Sequence, residues 1–220
     1  MRTIRVTGKG QIKVKHDMTR ITLTLTGLHK EYDETLRRSA EDTEALRAAL
    51  VPLGFEPSDL KTLRFDVDAE YESCREENEY KQRFAGYRFR HRMKVEFDSD
   101  NRRLGRVLCV LANSPVRPEF RISYTVRDPE SAKNTLLGKA VADAAEKAAV
   151  LTRAAGTACK EIQSVDYSWG EIRFESEPVR FDAAEKVCMS DMAAADSFDV
   201  DIEPDDIEVT DTVTVVWEIG

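Results

Sequence analysis

The second half of this chain resembles the first in the character of its residues, although few positions are identical. The segment LGFEPSDLKTLRFDV around Gly54 corresponds to AGTACKEIQSVDYSW around Gly156, and each follows a long helical pattern. The correspondence extends upstream and downstream through two further pairs of segments: RITLTLT from Arg20 with RISYTVR from Arg121, and YRFRHRMKVEF from Tyr87 with IEVTDTVTVVW from Ile207. We therefore expect two similar units, each of the order strand, helix, strand, strand.

Strands are predicted wherever apolar and polar residues alternate, because successive side chains of a strand point to opposite faces. The apolar members of the alternating segments are Ile4 and Val6; Ile21, Leu23 and Leu25; Leu63, Phe65 and Val67; Phe89, Met93, Val95 and Phe97; and Ile122, Tyr124 and Val126. The Gly8–Gly10 segment, GKG, is predicted to be a turn or bulge between the first two strands.

Three helices are predicted from apolar residues at helical spacing. The first runs from Asp33 to Gly54 with Leu36, Ala40, Thr43, Leu46, Leu50 and Leu53 on one face, and the second contains Leu104, Val107, Leu108 and Leu111. The third begins at Asp128, a good N-cap, with Pro129 in the first helical position. Its predicted buried face consists mostly of small side chains, which favours close packing against a sheet. The members of this face are Ala132, Leu136, Ala140, Ala144, Ala148, Leu151 and Ala155.

These elements predict an α+β fold with a mixed, mainly antiparallel sheet and helices packed on one face. It would be a single domain, 1–220, built from two pseudo-repeated β-α-β-β units at about 20–98 and 120–218. The opposite face would stay uncovered and carry threonines and charges. Residues 170–205 show no periodicity and form a long acidic insertion, and an insertion of that size is usually functional or disordered.

The composition excludes several classes of protein. Hydrophobic residues make up 41% of the 220 positions and charged residues 34%, which is typical of a soluble globular chain and not of disorder. The net charge of -8 disfavours nucleic acid as a partner, and no apolar run is long enough for a membrane span. Four scattered cysteines without a C-x-x-C pair indicate reduced thiols, and we expect no cofactor.

The N-terminus enters a strand pattern without an apolar export signal. A cytoplasmic location is therefore expected for the chain as given. A periplasmic or cell-envelope location is the alternative if the chain is trimmed from a precursor.

A basic stripe follows from the alternation between Tyr87 and Phe97. Arg88, Arg90, Arg92 and Lys94 all point to the face opposite the apolar residues. The neighbouring aromatic residues point the other way, so this stripe lacks the stacking surface of a single-strand nucleic-acid site. We expect cross-strand pairs with Asp66, Asp68 or Glu70, and an interaction surface at Arg88, Arg90 and Arg92.

No catalytic arrangement emerges from the sequence. His16, His29 and His91 lie in unrelated contexts, and neither G-x-S-x-G nor H-E-x-x-H is present. His91 falls on the apolar face and is predicted to be a core residue with its hydrogen bonds satisfied, so the chain is expected not to be an enzyme.

The acidic insertion offers two weaker candidates. Asp199, Asp201 and Glu203 supply oxygen ligands for a metal, but their spacing lacks the central Gly and terminal Glu of an EF-hand loop. Met189 and Met192 are adaptable apolar side chains of the kind that line contact surfaces, and we expect them to take part in interactions.

Four motifs together resemble the SIMPL-domain family over nearly the whole chain. They are I-x-V-x-G-x-G from Ile4, GYR at Gly86, DPxSAxxxxLxxAVADAxxKAxxL from Asp128, and the closing DIEPDDIEVTDTVTVVWEI. The resemblance implies a domain of unknown function, found in bacterial periplasmic and outer-membrane-associated proteins, that tends to self-assemble. It implies no catalytic residues.

A non-enzymatic, self-associating scaffold or protein-interaction domain is therefore the expected function, with a homo-oligomer or another protein as partner. The alternative is a small-molecule or metal-binding module in which residues 170–205 act as a lid. A cavity lined by converging polar groups would favour that alternative.

Overall fold

A computed structural model describes residues 2–76, 79–167, 172–176 and 203–220. The predicted α+β class is confirmed: three α-helices accompany seven strands in the described residues. The strands form two antiparallel sheets, one of four and one of three strands. A single mixed sheet was predicted, whereas the described strands divide between two sheets. No parallel pair forms between the strands on either side of the first helix, because each of them pairs antiparallel with the strand that lies between them.

Contacts divide the chain into two compact units. The first, which we call the four-stranded unit, comprises Met18–Tyr124 among its described residues. Its elements are β2 (Met18–His29), α1 (Tyr32–Leu50), β3 (Lys61–Glu76), β4 (Glu79–Asp98), α2 (Asn101–Asn113) and β5 (Glu119–Thr125). The second, the three-stranded unit, includes residues 2–17, the described part of Thr125–Ser176, and Pro204–Gly220. Its elements are β1 (Arg2–Val14), α3 (Pro129–Ala154), β6 (Cys159–Tyr167) and β7 (Ile207–Ile219).

In the four-stranded unit the order is β3-β4-β2-β5. Both β2 and β3 run antiparallel to β4, which lies between them, so the helical connection through α1 joins two strands of the same direction. Helices α1 and α2 cover one face, and the core contains buried residues from both helices and from β2, β4 and β5. The prediction of helices on one face is confirmed in this unit.

The register of β2 on β4 places their apolar residues on the helix-covered face. Ile21, Leu23 and Leu25 are buried there opposite Val95, Met93 and His91. Helix α2 begins at Asp100, whose carboxylate accepts hydrogen bonds from the backbone N–H of Arg102 and Arg103 at 2.9 and 3.3 Å. All four predicted apolar positions of α2 are buried.

In the three-stranded unit the order is β1-β7-β6, with α3 packed on β1 and β7. Strand β1 therefore pairs with β7 in the three-stranded unit as β2 pairs with β4 in the four-stranded unit. The sequence comparison matched β2 with the segment from Arg121, but that segment forms β5, which belongs to the four-stranded sheet. The boundaries of the two predicted repeats stay a prediction.

Helix α3 confirms the local signals of its sequence. Asp128 Oδ1 accepts a hydrogen bond from Ser131 N–H at 2.9 Å, and Pro129 begins the helix. The buried face repeats every four residues, at Leu136, Ala140, Ala144, Ala148 and Thr152. Leu151 was predicted on this face but is exposed, because Thr152 continues the four-residue repeat.

The predicted turn at Gly8–Gly10 is wrong. Both glycines lie inside β1, which pairs continuously with β7 from Arg2 to Val14. Their role is tertiary: a Cβ on Gly10 would lie 2.3 Å from the Leu136 carbonyl oxygen of α3. The glycines therefore let the helix backbone approach the strand, which a local turn signal cannot reveal.

The ends of α1 and its register differ slightly from the prediction. The buried residues are Thr35, Ser39, Thr43, Leu46 and Leu50, whereas Leu36 is exposed. Gly54 ends the helical region in the left-handed conformation, with φ of 82°, and Gly156 does the same after α3, with φ of 68°. Glycine adopts this conformation without steric cost, so both predicted helix stops are confirmed.

Candidate interaction surface

The predicted basic stripe lies on the uncovered face of the four-stranded sheet. Along β4, Phe89, His91 and Met93 are buried, while Arg90 and Arg92 between them are exposed. The alternation predicted for this strand is therefore confirmed.

Arg88 forms one of the predicted cross-strand pairs. Its guanidinium binds the carboxylate of Glu70 on β3 through two nitrogens, one of them at 2.8 Å. The hydrogen bonds from Arg88 lower the pKa of Glu70, and the same contact raises the pKa of Arg88. Asp66 pairs with Arg64 of its own strand at 2.6 Å instead of with a β4 arginine.

A second carboxylate on this face serves two cations. Glu96 binds Arg20 Nε at 2.6 Å and Lys94 Nζ at 2.8 Å. Partial burial raises the pKa of Glu96, but the hydrogen bonds from Lys94 and Arg20 outweigh it, and the net pKa lies below the ordinary value. Lys94 is therefore occupied and not available to an anionic partner.

Arg90 and Arg92 are the exposed members of the stripe. Neither guanidinium pairs with a carboxylate of the described residues. Of the three arginines predicted as interaction residues, these two present free charge on an open sheet face, while Arg88 is neutralised by Glu70.

The opposite face of the same unit carries exposed aromatic rings. We call Tyr32, Phe65, Tyr71, Phe84 and Tyr87 the aromatic shelf. The exposed fractions are 48% for Tyr32, 43% for Phe65, 57% for Tyr71 and 42% for Phe84, and Tyr87 is half-buried. Single exposed apolar residues are ordinary, whereas neighbouring exposed rings form a larger apolar patch, which is less common on the surface of a monomer.

Four of these rings form a continuous series of edge-to-face contacts. The ring centroids of Tyr32 and Tyr87 are 5.4 Å apart, those of Tyr87 and Phe84 are 5.2 Å apart, and those of Phe84 and Tyr71 are 5.7 Å apart. Edge-to-face pairs are a favoured geometry for aromatic rings. Four of the five rings of the shelf are therefore linked through ring contacts, whereas Phe65 contacts the ring of His91.

The shelf is uncovered because of where α1 lies. This helix packs on β2 and β4, and β3 is the outer strand, so side chains on the helix-facing side of β3 extend beyond the helix. Phe65 lies directly opposite the buried His91, which shows that it shares the core-facing side of the sheet. The outer edge of β3 also has no paired strand within the described residues.

The three-stranded unit has an apolar surface built the same way. Its outer strand β6 is exposed along most of its length, and α3 packs mainly on β1 and β7. Ile162, Val165 and Tyr167 lie opposite core residues of β7, on the helix-facing side of β6, and are 53%, 47% and 42% exposed. Among the described strands, β3 and β6 thus each combine an unpaired edge with exposed apolar side chains.

His91 is a core residue with both ring nitrogens hydrogen-bonded, as predicted. It is 9% exposed, with Thr43 Oγ1 at 3.1 Å from Nδ1 and Thr62 Oγ1 at 2.8 Å from Nε2. Burial lowers its pKa, and the charge of Arg47 lowers it further.

The predicted candidates in the acidic insertion fall almost wholly outside the described residues. Met189, Met192, Asp199 and Asp201 lie there, and Glu203 is exposed. Among the described residues no group of three His, Cys, Asp or Glu side chains is arranged to hold a metal ion. None of the described helices combines the length and apolar character needed to cross a membrane.

The family comparison agrees with the resemblance that the sequence motifs indicated. The SIMPL family profile, described as a protein of unknown function (DUF541), matches residues 4–217. The chain therefore belongs to the SIMPL family. Among curated proteins, no sequence matches it.

Sequence reasoning missed the aromatic shelf. Alternation showed which side of the sheet Phe65 occupies, but not that α1 would stop short of β3. Two signals were present: Tyr71 and Phe84 lie in a charge-dense segment with no core pattern, and the segment is long enough to extend past the helix.

Proposed function

We propose that this chain is a non-enzymatic protein-interaction domain that associates with copies of itself through the aromatic shelf. The observation that carries the proposal is the ordered series of exposed rings from Tyr32 to Tyr71. Aromatic residues are enriched in the cores of protein interfaces because each ring buries a large area at a small entropic cost.

A second copy is the partner that the molecule itself supports. The described part of the chain carries two apolar surfaces, one beside β3 and one beside β6, and each adjoins a strand edge that no described strand pairs with. An apolar surface of one copy thus finds a suitable surface on the next without any additional protein. Contact between unlike surfaces of neighbouring copies would build rings or longer assemblies, and contact between like surfaces would build a twofold dimer.

The stripe at Arg90 and Arg92 plays a lesser part in this proposal. An open face with two free guanidinium groups keeps its hydration, and burying unpaired charges in an interface carries a desolvation cost. These arginines would then lie outside the buried part of the interface, where a charge influences the rate of association more than its strength.

Sedimentation velocity on matched variants tests the choice of surface. Tyr71→Lys with Phe84→Lys places charge on the shelf at two exposed positions, and Arg90→Ala with Arg92→Ala removes charge from the opposite face. We expect the shelf variant to sediment as a monomer at concentrations where the wild type and the arginine variant associate. Unchanged association of the shelf variant, with its circular dichroism intact, would refute the proposal.

A further inference from the structure

One buried side chain ties three elements of the four-stranded unit together. His91 on β4 contacts Thr43 of α1 through Nδ1 and Thr62 of β3 through Nε2. Thr43 is buried, whereas Thr62 lies on the outer strand and is exposed. The imidazole is thus the polar link between the helix and the outermost strand.

The hydrogen bonds fix which ring nitrogen carries the proton. Thr43 Oγ1 lies 2.7 Å from the carbonyl oxygen of Ser39, which can only accept, so the single hydroxyl proton of Thr43 is donated there. Thr43 must then accept from His91, which places the imidazole proton on Nδ1. His91 Nε2 is left as an acceptor, and the hydroxyl of Thr62 donates to it.

The surroundings of His91 oppose a second proton. From α1 the charged group facing it is Arg47, which pairs with Glu44 at 2.5 Å. From β3 the ring meets Thr62 and the edge of Phe65, with ring centroids 5.1 Å apart. Strand β2 presents Leu25 opposite His91, and the neighbouring arginines of β4 itself point to the other face of the sheet.

We propose that His91 is an acid-released latch that fastens the outer strand β3 to helix α1. A proton added at Nε2 reverses the hydrogen bond to Thr62, since that hydroxyl can accept as well as donate, and it places a positive charge in a buried site that faces Arg47. Opening of the strand relieves this burial, because water then solvates the imidazolium. Strand β3 gives way first since, among the described strands, it is paired on one side only.

The pH range follows from the direction of the pKa change. The latched state holds His91 neutral with a pKa below 6.5, whereas the opened state has an ordinary histidine near that value. The latch is therefore complete above about pH 6.5 and weakens as the pH falls below it. Phe65 belongs to β3 and moves with it, so opening of the latch also changes the aromatic shelf. The latch itself does not depend on whether the shelf is an interface.

Hydrogen exchange measured by mass spectrometry tests the latch directly. Protection factors, corrected for intrinsic exchange, are compared at pH 7.5 and 5.0 for peptides covering residues 61–67, with residues 207–219 of β7 as an internal reference. We expect the protection of residues 61–67 to fall more than that of β7, because only the unit that holds His91 has the acid-sensitive link. Equal losses in the two regions would overturn the proposal.

Two further measurements separate the latch from general acid sensitivity. His91→Phe has no titratable group and should abolish the selective loss at residues 61–67, while His29→Gln on the neighbouring strand should preserve it. Persistence of the loss in His91→Phe would contradict the latch. The tautomer needs no variant: imidazole nitrogen shifts of the wild type at pH 7.5 should show the proton on Nδ1, and a proton on Nε2 would overturn the proposal.

Discussion

Gly8 of β1 lies directly against Ala144 of α3, so closely that a Cβ on Gly8 would lie 2.8 Å from the Cβ of Ala144. The same Cβ would lie 2.0 Å from the carbonyl oxygen of Ala140. The helix backbone therefore rests on the strand with no room for a side chain between them. This contact explains why glycines in β1 and alanines in α3 occur together in one chain.

Gly8→Ala should destabilise the protein by about 3 kcal/mol, because the added methyl group must displace helix backbone and not a flexible side chain. Gly138→Ala is the matched control on α3, since a Cβ there meets no atom within 4 Å. It should stabilise by about 0.5–1 kcal/mol through helix propensity. Urea denaturation checks both, and a Gly8→Ala midpoint equal to that of the wild type would contradict the packing.

Ala144→Leu tests the same contact from the helix side. Ala144 is fully buried on the sheet-facing side of α3, so the larger side chain should overpack the interface and lower the free energy of unfolding by about 1–3 kcal/mol. Ala142 is exposed on the same helix, and Ala142→Leu should change stability by less than about 0.5 kcal/mol. Equal unfolding temperatures for the two variants would show that the helix can move away from the sheet.

Asp143 should protect the outer edge of β1, which pairs with no other strand among the described residues. Its Oδ2 accepts hydrogen bonds from the backbone N–H of Lys9 and from Lys147 Nζ, both at 2.6 Å. The hydrogen bond from Lys147 lowers the pKa of Asp143 most, and the hydrogen bond from the Lys9 backbone lowers it further. The contact between Asp143 and Lys9 should therefore persist well into the acid range. Asp143→Ala should speed exchange of the Lys9 amide, whereas Asp143→Asn keeps an acceptor and should retain part of the protection. Equal exchange in both variants would exclude this role.

Glu96 should contribute stability that depends on pH. Its pKa in the folded state is depressed, so the contribution is present above the unfolded value of about 4.5 and is lost as the pH falls through the folded value. Glu96→Gln leaves Arg20 and Lys94 without their shared carboxylate and should cost about 1 kcal/mol at pH 7. Urea midpoints should differ at pH 7 and converge as the pH falls below about 4.5 and through the folded value, and a constant difference would contradict the assignment.

Local sequence signals predicted the features that depend on neighbouring residues. The cap at Asp128 was predictable because its carboxylate bonds to an amide three residues away. The alternation of β4 was predictable because the period of a strand is a property of the backbone. The partner of Arg88 followed from opposite charges on adjacent strands.

Features that depend on distant packing were not predictable in the same way. Gly8 and Gly10 have the composition of a turn, and only the approach of α3 reveals their role. Leu151 and Thr152 are equally placed for the buried face by periodicity, and the choice between them depends on how the helix is rotated over the sheet. The aromatic shelf was not predicted, because the sequence alone does not show how many strands α1 covers.

The oligomeric mass in solution tests the central claim most directly. Light scattering coupled to size-exclusion chromatography, run over a range of protein concentrations, measures it without any label or variant. We expect a mass that is a multiple of the 24.9 kDa of one chain and that decreases on dilution. A mass of one chain at every concentration, including the highest, would contradict self-association through the aromatic shelf.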